Sequence, residues 1–253
     1  MFIRKIAIVL IPILFLTSCI QGMPFISVNN GSTMVGNGRM VQTSFLTDGS
    51  PITEIIIENV HSTINISPTS SNEVTYTIDE NLQDLLDITH QDGTLRIAIQ
   101  SNRPITSISS RNTIVFDIGT DALEAISASG SVTINGDGKL YAETFSLDIA
   151  GAGNANLELD AHSVSATIAG AANLTLSGTT SYLLISSAGA SSINARNLVS
   201  QNTTVSMSGA GSAQVYAENT LDVSVAGVGT VTYWGDPTLT PSAAGLARVV
   251  RGN

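Results

Sequence analysis

Leu147-Asp148-Ile149-Ala150-Gly151-Ala152-Gly153 decides how this chain is read, because near-copies of it return at a steady interval. They stand at Thr167–Ala172, Ser187–Ser191, Met207–Gly211 and Val225–Gly229, with weaker versions at Ala128–Ser131 and Ala243–Leu246. Their glycines at 130, 151, 170, 189, 209, 227 and 245 are separated by 21, 19, 19, 20, 18 and 18 residues. A sustained period near 20 residues is the signature of stacked units, none of which can bury its apolar face alone.

Aligning the units on that glycine shows what each would bury. Four residues before it stand Ile126, Leu147, Ala166, Ile185, Val205 and Val223. Two before it stand Ala128, Ile149, Ile168, Ser187, Met207 and Val225, and four after it Ile134, Ala155, Leu174, Ile193, Ala213, Val231 and Val249. Alternate residues of a strand share a face, so these columns predict an interior. The column three before the glycine, Ser127, Asp148, Thr167, Ser186, Ser206 and Ser224, is predicted to face outward. The small residues at the glycine itself fit a sharp bend between strands. The expected fold is all-β: a single-chain right-handed parallel β-helix with coils of about 19 residues, clearest over 123–253. A β-sandwich is the alternative, and it would not need a regular period.

Ahead of the repeats, β-branched runs predict strands at Ile52–Glu58, Val60–Ile66, Glu73–Asp79, Thr94–Gln100 and Asn112–Ile118. Ser67–Ser70, Gln91–Gly93 and Ser101–Pro104 carry turn chemistry between them. Glu80–Asp87 reads as a helical turn too short to matter. Ile20–Val41, rich in Gly, Asn, Ser and Met, reads as a flexible tether. At the other end, Trp234, the only tryptophan, sits beside a Gly-Asp-Pro turn in the terminal repeat. It is expected to cap the stack rather than to serve as a sugar-stacking platform.

Residues 1–18 have basic Arg4 and Lys5, an apolar run from Ile6 to Leu16 and then small residues, the layout of a secretory signal. The run is too short to span a bilayer. Leu16-Thr17-Ser18-Cys19 resembles a bacterial lipoprotein lipobox, and Cys19 is the only cysteine. The expected organisation is a signal peptide over 1–18, a tether over 19–41 from a lipidated Cys19, and a β domain over 42–253. Removing the leader takes the net charge from -10 to -12 and leaves Lys139 as the only lysine. A nucleic-acid role is excluded on that balance, since phosphate binding needs clustered Lys and Arg.

No catalytic, cofactor-binding or metal-binding residue emerges. His61, His90 and His162 have no metal-ligand spacing, there is no G-x-S-x-G elbow or P-loop, and Asn135-Gly136-Asp137-Gly138 reads as a turn. A polysaccharide lyase or glycosidase would need grouped carboxylates. Asp148, Glu158 and Asp160, with Glu218 and Asp222 farther on, read instead as scattered charges that keep the surface soluble, and Arg196 is the only basic residue between Lys139 and Arg248.

The repeated Ser/Ala-Gly-Ala-Gly units, the ending Tyr233-Trp234-Gly235-Asp236-Pro237, and Asp79-Glu80-Asn81-Leu82 followed by Asp92-Gly93-Thr94-Leu95-Arg96-Ile97 together resemble the putative auto-transporter adhesin, head GIN domain family, the DUF2807 group, over roughly residues 36–253. The last unit departs from the pattern, with Ser242–Ala247 in place of a clean Ser-Gly-Ala-Gly. The resemblance implies a bacterial envelope lipoprotein with a β-helical fold, no cofactor and no catalytic residues. The expectation is a non-enzymatic protein held by its N-terminal lipid to the envelope, at the outer membrane. It would recognise an envelope or host surface polymer or protein, or serve as a structural or regulatory component facing the periplasm.

Overall fold

The computed structural model describes residues 32–99, 105–109 and 112–253. Among the described residues twelve strands follow one another: β1 (Ser32–Val35), β2 (Met40–Phe45), β3 (Glu54–Glu58), β4 (Ser62–Ser67), β5 (Val74–Asp79), β6 (Leu86–Gln91), β7 (Thr94–Ile99), β8 (Ile105–Ser109), β9 (Ile114–Gly119), β10 (Ala125–Trp234), β11 (Thr238–Gly245) and β12 (Arg248–Arg251). One short 3-10 helix, Glu80–Leu85, lies between β5 and β6. The all-β expectation therefore stands.

β10 spans 110 residues of strand that bend at positive-φ glycines and contains the repeats. Its beginning pairs in parallel with β3 (Ile126 beside Ile55) and β4 (Ile134 beside Ile64). Its end pairs in parallel with β11 and β12, Gly227 beside Gly245 and Val231 beside Val249. Between these ends each repeat lies on the one before. Gly170 has φ +138°, and a Cβ placed on it would run into the carbonyl oxygen of Gly151. The same contact recurs from Gly151 through Gly245, so this column is glycine because the backbones meet there.

The expected single right-handed parallel β-helix is corrected at the level of the whole sheet. The sheet is mixed and curls into a nearly closed, barrel-like form rather than a parallel solenoid. Its strand order is β2-β5-β9-β4-β10-β3-β7-β6, with β11 and β12 joined to β10, and β2–β5, β5–β9 and β6–β7 run antiparallel. The reason is local. Asp92 (φ 51°) and Gly93 (φ 82°) form a two-residue turn with both φ positive, the turn that joins antiparallel strands. Antiparallel neighbours can follow one another through so short a turn, whereas the parallel pairs β3–β7 and β4–β9 are joined only after connections of far more than a dozen residues. The period that suggested a helix of parallel coils begins only after those segments.

The interior is one apolar cluster running from Ile52 to Val231. All members of the columns four before, two before and four after the repeat glycine are buried, apart from Val249, which is half-buried at the final strand. Ser187 enters this interior with a partner, its hydroxyl lying 2.7 Å from that of buried Ser191. Such pairing removes most of the cost of burying a hydroxyl. The 3-10 helix contributes more than its length suggested, because Leu82 and Leu85 are both buried.

The motif Asp79–Leu82 fastens an otherwise irregular loop. Buried Asp79 accepts a hydrogen bond from the Gly38 amide (2.6 Å), and Asn81 donates to Val35 O and accepts from the Asn37 amide, both at 2.9 Å. In the second motif Leu95 and Ile97 are buried, while Arg96 bridges Glu58 on β3 and Asp87 on β6. The hydrogen bond to Glu58, then its charge and Asp87, hold the guanidinium pKa above its ordinary value against a smaller desolvation effect. These exposed pairs fix strand order more than they stabilise it.

Candidate recognition surface

The outward residues of β10 form rows along the stack. The predicted row three before the glycine is exposed from Asp148 to Ser224, with Ser127 half-buried. Two further rows follow the glycine. Three residues after it stand Thr133, Asn154, Asn173, Ser192, Ser212 and Thr230, and five after it Asn135, Asn156, Thr175, Asn194, Gln214 and Thr232. Every one of these side chains is a hydroxyl or a carboxamide, and all are exposed or half-buried. Some are already engaged along the row: Asn173 donates to Asn154 (2.9 Å), Asn135 to Asn65 (3.1 Å) and Asn65 to Asp117 (2.8 Å). Stacked strands repeat every ~4.8 Å and alternate residues every ~7 Å, so the face is a regular lattice of uncharged donors and acceptors. Sequence reading missed these two rows, although the alignment that located the interior contains them.

At the next bend, where the position of Gly178 (φ +111°) abuts the Leu159 carbonyl, the surface opens into a cleft of about 310 Å³. Asp160, His162, Thr179, Thr180, Ser181 and Gln201 line it. Thr179 donates to Asp160 (3.2 Å), and the buried Thr180 hydroxyl lies within reach of the His162 and Tyr182 carbonyls (3.2 and 3.1 Å). The Tyr182 ring meets His162 edge to face, with centroids 5.4 Å apart. Tyr182 is nonetheless 52% exposed, and Tyr141, earlier on the same strand, 64%. A second cleft of about 280 Å³ lies between residues 44–47 and 71–75.

The histidines stay apart in role. His61 is exposed and His162 edges the first cleft. The His90 side chain is fully buried, two residues before the Asp92-Gly93 turn. Its Nδ1 lies 3.0 Å from Asp48, and its Nε2 has no hydrogen-bond partner. Hydrogen bonds from Ser50 hold the Asp48 carboxyl below the usual range, more than the charge of His90 does. The carboxylates are individually engaged: Asp148 accepts from Ser146 (3.2 Å), and Glu158 lies 3.6 Å from Lys139. Among the described residues no three His, Cys, Asp or Glu side chains are grouped so as to hold a metal.

Trp234 is half-buried at the last repeat. Arg196 stacks over its ring at 4.2 Å, Gly252 lies against the indole, and Nε1 approaches Asn253 O at 3.4 Å. Arg196 thus occupies a face of the ring, and β11 and β12 pair alongside the repeat that carries it. Trp234→Ala is expected to cost about 1–3 kcal/mol through lost packing and cation–π contact, lowering the thermal midpoint by several degrees in a circular-dichroism melt. Cys19 and the leader lie outside the described residues. Among those described, no helix is long and apolar enough to cross a membrane.

The outward residues of β10 thus present an extended polar surface. The sequence profile of DUF2807, described as "putative auto-transporter adhesin, head GIN domain", matches residues 53–237, and this chain belongs to that family. The fold is similar to that of a putative adhesin from Bacteroides fragilis NCTC 9343, with TM-score 0.77 and 20% identity over 86% of this chain and 99% of that one. A putative lipid binding protein from Parabacteroides distasonis ATCC 8503 aligns with TM-score 0.68 and 20% identity, covering 88% of this chain and 100% of its own. A putative adhesin from Parabacteroides merdae ATCC 43184 aligns with TM-score 0.60 and 17% identity over 87% and 99%. No curated protein shows significant similarity to the sequence.

Proposed function

We propose that this chain is a lipid-anchored envelope protein that recognises a surface polymer or protein without catalysis, through the hydroxyl and carboxamide lattice of β10. The observation that carries the reading is the unbroken uncharged polar character of the two rows after the glycine, over six successive repeats. Family membership and the adhesin names of its structural neighbours agree with it. Recognition by many weak contacts suits an extended lattice, whereas glycan cleavage needs a grouped pair of carboxylates, and Glu158 is already held by Lys139.

Protease shaving of intact cells tests the reading, with Cys19→Ala as the anchoring control. The wild-type protein should be digested without lysis, and the variant should leave the membrane fraction for the soluble one, since the tether would then hold no acyl chain. Protection until the outer membrane is permeabilised would overturn surface recognition in favour of a periplasm-facing structural role. Unchanged membrane retention of the variant would overturn the lipid anchor.

A further inference from the structure

Resting on the recognition reading, we propose that the bend beside Gly178 is a saccharide subsite for a neutral, extended β-linked glycan. Tyr141 and Tyr182 provide the stacking surface, and Asp160 with its neighbouring hydroxyls provides the polar contacts. Two tyrosines of β10, 64% and 52% exposed, flank His162 in repeat register (141, 162, 182), two repeats apart, and the Tyr182 ring meets His162 edge to face. Two layers correspond to about 10 Å along the stack, which suits the disaccharide repeat of an extended β-linked chain. An aromatic ring with a polar tip gives a sugar an apolar face to lie on and a hydroxyl to bond.

Beside the rings is the cleft of about 310 Å³, wide enough for a sugar ring and lined mainly by acceptors and hydroxyls. Asp160 is half-buried, and only one of its hydrogen bonds is taken up by Thr179, so its carboxylate retains acceptor capacity toward sugar hydroxyls. Gln201 and Ser181 supply both donors and acceptors at the same lip.

Charge sets the class of glycan. No lysine or arginine lines the cleft, and it holds one carboxylate. A uronate or sulfated polymer would meet Asp160 without a compensating cation and be disfavoured. A neutral or N-acetylated chain meets no such penalty.

The test uses the full-length chain in detergent, with isothermal titration of β-1,4-linked hexamers of glucose, of N-acetylglucosamine and of mannuronate. The wild type should bind at least one neutral hexamer and bind the hexamannuronate at least tenfold more weakly. Tyr182→Ala and Tyr141→Ala should each weaken the neutral hexamer at least fivefold, and Asp160→Asn should narrow the discrimination against the uronate. Leu246→Ser, exposed in the last repeat away from the cleft and outside the polar rows, should leave hexamer binding unchanged. Because Tyr182 is half exposed, a retained circular-dichroism spectrum is expected in its variant, and Tyr182→Phe should restore binding.

Absence of neutral-hexamer binding, or equal binding by wild type and Tyr182→Ala, would overturn the subsite. Such a result alongside intact surface digestion would leave the broader recognition reading standing, with a protein as the partner. Hexamer binding by a chain that resists digestion on intact cells would do the reverse.

Discussion

Replacing Gly170 by alanine is expected to remove about 2–5 kcal/mol of stability, enough to unfold a large share of molecules if the total lies in the usual range of about 5–15 kcal/mol. Two separate costs add. Gly170 has φ +138°, a conformation that costs an L-residue about 1–3 kcal/mol. Its Cβ would also overlap the backbone carbonyl of Gly151, an atom that cannot swing aside as a side-chain tip can. Relieving that overlap means separating two stacked strands, at the cost of about 1–3 kcal/mol typical of overpacking. The measurement is the urea midpoint, which should fall while the slope stays constant. Ala171→Ser is the control, since Ala171 is exposed and the change should lie within about 0.5 kcal/mol. Equal midpoints for Gly170→Ala and wild type would mean that the repeats are not in backbone contact at this column.

The interior of β10 was legible before the structure because two regularities coincided there, strand alternation and the repeat interval. Ile126, Leu147, Ala166, Ile185, Val205 and Val223 are buried in a common column, as the alignment predicted. The mixed sheet was not legible, because the repeat says nothing about β2, β5, β6 and β9, which precede it. Its one sequence signal, Asp92-Gly93 between two β-branched runs, was read as a turn without drawing its consequence for strand direction. The helical turn at 80–85 was undervalued on length alone, although Leu82 and Leu85 are spaced to point into one core. The cleft was harder still. Asp160, His162, Thr179, Tyr182 and Gln201 belong to three successive repeats and meet only because the chain bends where Gly178 abuts Leu159. Interval and polarity can identify a surface row, but a concavity depends on the angle of a bend.

Phe116→Ala is expected to cost about 3–5 kcal/mol, at the top of the range for core substitutions. Phe116 is fully buried and sits in the middle of β9, which is parallel to β4 on one side and antiparallel to β5 on the other. Its register partners are Ile64 on β4 and Tyr76 on β5, and the Tyr76 ring lies 5.8 Å away, centroid to centroid. The side chain therefore fills the seam at which the sheet changes direction. Alanine there loses the transfer energy of an aromatic ring and leaves a cavity that two differently oriented strands cannot close by a common shift. Phe116→Leu keeps most of the volume and should recover more than half of the loss. The damage should be local in hydrogen exchange: amides of β2, β5 and β9 should lose protection first, while the repeats near Gly189 and Gly209 keep theirs. A uniform loss of protection from β2 to β12 would instead mean that the seam and the repeats unfold as one cooperative unit, so that the antiparallel strands and the stack share a single global stability.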